Sequence, residues 1–518
     1  MKNKYIILWF VLSTIFVLKI SAQEILWQNN YGGSEADFAN SIICTNDNGY
    51  IIIGTTSSED ADIENYHGFG DVPVIKTDSS GIVEWQKAYG GTSSEQAHSI
   101  CQTNDEGFIF TGFTYSSDGD ITYTHNSISP IRDDFWVVKL NPLGDIQWQK
   151  CIGGSGFDAG YSIVQAHNNG YIVVGESRSS DGDIPYSLGS TDGIVAKLSL
   201  SGDIEWIKVI GGSFADHIYS IVLTSDGGYI LAGSTESNDG NISTNNGGFD
   251  AWIVKLDSLG NIQWEETYGG TKNDGAEYIS QTYDKGYIIT GEASSNDGDV
   301  IGYHDSEYTD IWILKLDSIG TLMWQKCLGG SSADWGNSII QSEDSAYIVA
   351  GYSHSSDGDV SFSHGAQDYW IVKLDSVGYL QWEKTFGGDS TDVATAIVQN
   401  TNNDYIITGY SMSNNDDITN NLGGADIWTI CISSETGIIE NEKKIEHRIY
   451  PNPATDWLYF DSWHNSYVEI YSIKGQLIKT ITSDETKVEI NLQDLSPGTY
   501  FIKIVNDNGR TIQKLIKQ

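Results

Sequence analysis

Between residues 23 and 433 apolar and polar positions alternate with a period of two, and Gly, Asn, Asp and Ser interrupt the alternation every few residues. One stretch shows the unit. A first run, Ile262-Gln-Trp264-Glu-Glu-Thr-Tyr, ends in Gly-Gly270, and a second, Ser220-Ile-Val-Leu in the preceding copy, ends in the tight turn Ser-Asp-Gly-Gly228. The third is the apolar run Tyr229-Ile-Leu-Ala-Gly233, and after a longer polar loop comes the fourth, Asp250-Ala-Trp-Ile-Val-Lys-Leu256. The unit recurs seven times. Trp27, Trp85, Trp148, Trp206, Trp264, Trp324 and Trp382 follow one another at 58, 63, 58, 58, 60 and 58 residues. Four short strands per period predict a propeller blade, so residues 23–433 are expected to form an all-β, seven-bladed β-propeller, monomeric as a closed ring. No sustained 3.6-residue period exists to support a helical solenoid, and a parallel β-helix prefers shorter coils. Turns such as Asp257-Ser-Leu-Gly-Asn261 make each fourth strand and the following Trp strand a hairpin within one blade. The first strand, Ile25-Leu-Trp27, and the last, Asp426-Ile-Trp-Thr-Ile430, are then left over, and pairing them would close the ring and remove both free edges.

The two ends break the pattern. Residues 1–22 combine Lys2 and Lys4, an apolar run from Tyr5 to Leu18 and small residues Ser21 and Ala22, which reads as a secretory signal peptide. The run is too short to span a bilayer, and no other segment is long and apolar enough to do so. Residues 434–446, with the charged run ENEKKIE, read as a linker. From 447 to 518, short strands around Trp457-Leu-Tyr-Phe, Val468-Glu-Ile-Tyr, Val488-Glu-Ile-Asn-Leu and Tyr500-Phe-Ile-Lys-Ile-Val are punctuated by Gly475, Pro497-Gly498 and Asn508-Gly509. They predict a small Ig-like β-sandwich.

Here specific motifs accumulate. Tyr450-Pro-Asn-Pro-Ala, Ile470-Tyr-Ser-Ile-Lys-Gly-Gln, Leu495-Ser-Pro-Gly-Thr-Tyr and the closing Lys514-Leu-Ile-Lys resemble the type A sorting domain of the Bacteroidetes type IX secretion system. The resemblance implies that residues 447–518 engage the type IX machinery. It further implies that the protein crosses the outer membrane, loses this domain, and is released or attached to the cell surface. The repeats, with Gly-Gly, Asp, Gly-x-x-Tyr-x-x-Gly and Asp-x-x-x-x-Lys in order, resemble a bacterial β-propeller repeat family (SBBP-like) found in many extracellular proteins.

A residue present in every blade is expected to build the blade. The Trp column is therefore assigned to the core. One acidic column follows Gly-Gly (Asp37, Glu95, Asp158, Asp216, Asp274, Asp334, Asp392), and another opens the fourth strand (Asp71, Asp134, Asp192, Asp250, Asp310, Asp368, Asp426). Lys76, Lys139, Lys197, Lys255, Lys315 and Lys373 form a basic column, and Lys87, Lys150, Lys208, Lys326 and Lys384 a second. Pairs between these lysines and the column acids are the expectation. Cys44, Cys101, Cys151, Cys327 and Cys431 fall in strands and read as buried free thiols.

The variable loop lies between third and fourth strands. It opens with Asp118 and Asp120, Asp181 and Asp183, Asp297 and Asp299, or Asp357 and Asp359, each pair flanking a Gly. A tight turn is the plain reading. Paired carboxylates are also oxygen ligands of the type Ca²⁺ takes, although the EF-hand order is missing. The same loops hold Tyr66-His67, Tyr123 and His125, Tyr303-His304 and His364, so their face of the disc is the candidate ligand face.

Charge sharpens the picture. The chain carries 28 bases and 70 acids, net −42, and residues 23–439 alone carry about −44. That excludes a nucleic-acid or anionic-membrane binder. No Gly-x-Ser-x-Gly, His-Glu-x-x-His or phosphate-cradling loop is present. The expectation is a secreted or surface binding scaffold for glycan or protein, without cofactor unless calcium. The alternative is a carbohydrate-active enzyme working through loop carboxylates on one face.

Overall fold

The computed structural model describes residues 23–60, 65–125, 133–167, 170–304, 307–434, 449–461, 466–472, 477–483, 487–506 and 509–518. The leader, residues 435–446 of the linker, Gly475 and Asn508 lie outside them. The chain divides into two compact units, Met1–Thr436 and Gly437–Gln518.

Alternation becomes strand throughout the first unit, which contains seven four-stranded antiparallel sheets. Blade 4 is representative: Asp216–Leu223, Tyr229–Thr235, Asp250–Leu256 and Ile262–Tyr268 lie side by side in chain order. Blades 1 to 6 occupy residues 37–89, 95–152, 158–210, 216–268, 274–328 and 334–386. Blade 7 takes three strands from residues 392–432 and its fourth from the other end of the chain. Ile25–Tyr31 pairs antiparallel with Asp426–Ile432, with Gln28 opposite Ile430 and Asn29 opposite Thr429. The ring is closed as the leftover edges required. First strands of neighbouring blades pack side by side all the way round, blade 1 against blade 7, so the first strand of every blade lines the axis and the Trp strand lies at the rim.

The second and third strands are buried along nearly their whole length, as layers covered on both faces must be. Fully enclosed tryptophans are those of the third strand of a blade, Trp136, Trp252, Trp312, Trp370 and Trp428. The period-marking Trp column is only half-buried, which corrects its assignment to the core. Each such ring leans across a seam instead: Trp148 of blade 2 packs on Tyr171 of blade 3 at 5.9 Å and covers Gly202. Gly202 has φ +83°, and a Cβ there would meet the indole at 2.7 Å, so the turn and the ring need glycine.

The lysine column is buried, but its partners are not the column acids. Lys139 Nζ lies 2.9 Å from Asp105, in the turn between first and second strands, and also donates to Leu140 O and Gln147. Lys76–Asp47, Lys255–Asp226, Lys315–Asp284 and Lys373–Asp344 repeat the pair, and Lys197 faces Glu205. An ammonium at the end of a four-carbon stem reaches the disc face its strand runs toward, and the column acids sit at the opposite face. Of the thiols, Cys151, Cys327 and Cys431 are buried, whereas Cys101 is partly and Cys44 openly exposed.

In the second unit, Trp457–Asp461 pairs with Lys487–Asn491, and a four-stranded sheet runs Leu477–Ser483, Ser466–Ser472, Gly498–Asn506, Gly509–Lys517. Leu458, Phe460, Val468, Ile470, Val488, Ile490, Ile502 and Leu515 form the core between the two sheets.

Candidate functional site

The acid columns are hydrogen-bond hubs. Asp158 is fully buried and accepts from Gly154 N at 2.8 Å, from Ser179 Oγ at 2.7 Å and from Ser177 Oγ, fixing the Gly-Gly loop. The paired loop acids do the same from outside. Asp118 accepts from Thr92 N and Thr92 Oγ1, and Asp181, Asp297 and Asp357 accept from Ser155 N, Thr271 N and Ser331 N. Asp120, Asp299 and Asp359 accept from Gly90, Gly269 and Gly329 N, while Asp183 faces His125. Between each pair sits a Gly at positive φ, for example Gly119 at +65°, so the segment is a tight turn with its carboxylates turned onto backbone amides. Among the described residues no three His, Cys, Asp or Glu groups converge in a way that could hold a metal ion.

The loop histidines stand one per seam. His67 Nδ1 and N both reach Asp71, at 2.9 and 2.8 Å. His125 bridges Asp134 of its own blade and Asp183 of the next, each at 3.2 Å. His304 spans Asp310 and Asp359, and His364 reaches from Asp368, through its amide, to Asp417. The bond to Asp134, then that to Asp183, raises the His125 pKa to about 9, so this ring is a charged staple between blades. Tyr66 and Tyr303 are partly buried and Tyr123 is exposed. These loop residues sit in four different blades; the structure does not gather them into one cleft.

The axis is different. Every first strand carries a β-bulge at the same place: pairing skips from Ala39 to Ser41, Ala97 to Ser99, Gly160 to Ser162, Ile218 to Ser220, Ala276 to Tyr278, Gly336 to Ser338 and Ala394 to Ala396. The bulge brings a first-strand carbonyl against the second strand, which explains the Gly of each Tyr-x-x-x-Gly run; a Cβ at Gly175 would lie 1.9 Å from Ala159 O. The extra residue faces the axis. Around the ring these residues are Asn40, His98, Tyr161, Tyr219, Glu277, Asn337 and Thr395, all lining an axial cavity of about 540 Å³. Asn40, Asn337 and Thr395 staple inner strands together through Ala97 O, Ala394 O and Ala39 O.

The other four build an unsymmetrical wall. Tyr161 donates to Glu176, which is 5% exposed and holds His217 Nδ1 across the seam of blades 3 and 4. His217 stacks on Tyr219 at 5.8 Å. His98 packs on Tyr161 at 4.9 Å; burial lowers its pKa to about 4, so the ring is neutral, and its Nε2 has no partner among the described residues. In blade 5 the carboxyls of Glu277 and Glu292 meet, both held above the usual carboxylate range by burial and, for Glu292, by the neighbouring Glu277 charge. Gly275 opposite Glu292 leaves the space; a Cβ there would meet Glu292 Oε1 at 2.5 Å. In blade 6 Trp335 stacks on Tyr352 at 6.3 Å, and in the seam of blades 7 and 1 Phe38 meets Tyr410 edge-on at 4.8 Å.

None of these axial residues was singled out as a candidate in the sequence reading. Part of the signal was available: laid over one another, the seven repeats agree on the opening acid and on the Ile at the sixth place of the first strand, most keep Ser at the fifth, and they vary at the second place and at the bulge position.

Fold and site together define a seven-bladed propeller disc with an unsymmetrical axial cavity, followed in the chain by a separate β unit. The tail fixes the address. Residues 448–518 match the family model described as a secretion system C-terminal sorting domain, so the protein is a type IX cargo, exported to the cell surface or secreted. No helix among the described residues is long and apolar enough to cross a membrane. The chain is 25% identical over 280 residues to the regulatory protein FlaEY of Caulobacter vibrioides; the match covers 50% of this chain and spans only 28% of that relative's length. Among solved structures it is similar to PorZ, a surface component of the type IX secretion system of Porphyromonas gingivalis (9% identity, 98% of this chain and 88% of that one, TM-score 0.23). It is also similar to a puromycin hydrolase (10% identity, 83% and 60%, TM-score 0.43).

Proposed function

We propose that this protein is an exported binding module, and that its ligand docks in the axial cavity, on the face where the bulges open, rather than on the rim loops. The observation that supports the reading is the divergence of the blades. Seven copies within one chain are seven solutions to the same packing problem, so positions required by the fold agree. In the ring of bulge residues Asn40, Asn337 and Thr395 staple inner strands, whereas His98, Tyr161, Tyr219 and Glu277 have no such bond and bring different chemistry to the cavity. Rings, hydroxyls and carboxyls from blades 2 to 6 then share one cavity, which is the usual composition of a recognition site for a polar ligand. A hydrolytic reading is favoured by one feature alone, the protonated Glu277–Glu292 pair, since the loop carboxylates already serve backbone amides.

The test screens the full chain against glycan, amine and peptide arrays, then repeats any hit with Tyr219→Ala and with His125→Gln. Loss in the cavity variant and retention in the rim variant is the expected outcome. The reverse pattern sinks the axial reading. Release of a reducing sugar, abolished by Glu277→Gln, would move the assignment to hydrolase.

A further inference from the structure

We infer that Tyr219 and Glu277, which line the axial cavity, together with Glu292, Trp335 and Tyr352 beside them, form a binding site for an organic cation: an ammonium or guanidinium group, either free or at the tip of a Lys or Arg side chain. The inference rests on the axial docking reading above and narrows it to a ligand chemistry.

Four observations carry it. The first and second strands of all seven blades, the whole cylinder around the axis, contain no Lys and no Arg. Lys76, Lys139, Lys255, Lys315 and Lys373 point their ammonium groups to turn acids instead, and Lys197 faces Glu205. An anionic ligand would therefore find no counter-charge there. Second, the non-structural carboxyls of that cylinder are not scattered. Glu176, Glu277 and Glu292 occupy blades 3 and 5, with Glu176 already matched by His217 of blade 4. The pair in blade 5 has no basic partner among the described residues other than the more distant His217, and holds a proton in its place.

Third, aromatic rings flank the pair on both sides. Tyr219 of blade 4 and Tyr352 of blade 6 each lie close enough to feel the charge of both Glu277 and Glu292, and Tyr352 is backed by the stacked Trp335. Aromatic rings close to carboxylates are surroundings in which a cation can gain from quadrupole and charge together. Fourth, the wall is built, not incidental: only blade 5 has Gly at position 275, and that Gly is what lets the Glu292 carboxyl sit against the strand. The groups facing the pair are His217, Tyr219, Asp274 and Tyr352; none but His217 can become positive. A bound cation supplies the missing charge, and the shared proton leaves to solvent as it enters.

Isothermal titration of the full chain at pH 7 tests this with two probes: agmatine, and a short peptide with one central Arg. A peptide with citrulline in place of Arg is the neutral control. Saturable one-to-one binding is expected, with an enthalpy that changes with the ionisation enthalpy of the buffer, the mark of a released proton. Affinity should fall at least tenfold in Glu277→Gln and in Tyr352→Ala, and rise with pH as the pair titrates. Matching melting curves for variants and wild type exclude misfolding, and Gly275→Ala, which displaces Glu292 without removing an acid, gives an independent loss. Agmatine alone binding identifies a free amine as the source; the Arg peptide alone binding identifies a side chain. No saturable heat with either probe overturns the inference, as does equal affinity for the citrulline peptide or undiminished binding by Glu277→Gln. If a neutral glycan binds instead and Tyr219→Ala abolishes it, the axial docking reading survives while the cation inference falls.

Discussion

Ring closure is the feature whose energetics can be worked through most directly. Ile25–Tyr31 completes blade 7 as its outermost strand, with Asn29 opposite Thr429, so one ladder joins positions about 400 residues apart. A disulfide installed there as Asn29→Cys with Thr429→Cys would remove the corresponding loop-closure freedom from the unfolded chain. For a loop of about 400 residues the chain-entropy relation gives about 20 cal/mol/K, or about 6 kcal/mol at 25 °C, as an upper bound. Unfolding about 400 residues carries an entropy near 0.84 kcal/mol/K, so the melting temperature should rise by up to about 7 °C. Thr429 gives up a hydrogen bond to Thr408 Oγ1, worth about 1 kcal/mol, but that loss is common to the oxidised and reduced forms and cancels between them. The assay is calorimetry on the two redox forms of one variant, with mass spectrometry to show the crosslink joins these sites rather than Cys431 or Cys44. Oxidised and reduced forms melting together, or no crosslink forming, refutes the closure.

Two further outcomes follow from groups already placed. Asp105→Ala leaves the buried Lys139 ammonium with only Leu140 O and Gln147, and should cost about 3 kcal/mol in urea unfolding, whereas Asp105→Ala with Lys139→Met should lie within about 1 kcal/mol of wild type; a double variant as unstable as the single one contradicts the pairing. Asp250, Asp334 and Asp426 are each pushed up to about 6, chiefly by burial and further by neighbouring acids, against hydrogen bonds that pull the other way, from about 3.9 in the unfolded chain. Their folded forms hold protons more tightly, so the stability they contribute is present below about pH 4 and lost as pH rises through about 6. His125, raised to about 9, adds stability that is present below about 6.5 and lost toward pH 9, in the same direction. The melting temperature should therefore be higher at pH 5 than at pH 8, and a steady fall from pH 8 to pH 5 would count against these assignments.

Strand order, blade number and closure were legible because they depend on backbone pairing, and the period-two alternation with its Gly-rich turns encodes pairing directly. What the alternation cannot encode is which end of a strand a long side chain reaches. Lys139 and Asp134 belong to one strand of seven residues, yet their charged groups lie at opposite faces of the disc, so the lysines meet turn acids such as Asp105 and not the column acids. The Trp column misled for a related reason: recurrence measured its importance to the seam, not its burial. The axial wall was missed because a bulge shifts the facing of one residue without altering composition. Glu277 follows Ala276 in a run that reads as plain alternation, and only the break in pairing between Ala276 and Tyr278 turns it to the axis.

The bulges have a consequence for how such a molecule can change over time. Because the kink is held by backbone geometry and by a glycine in the adjacent strand, the bulge itself does not depend on the side chain at its tip, although Asn40, Asn337 and Thr395 use theirs to bond a neighbouring inner strand. Read around the axis, the tips spell Asn, His, Tyr, Tyr, Glu, Asn, Thr. A lineage could rewrite that seven-letter word one letter at a time, each letter in a separate blade, while the ring around it stayed the same.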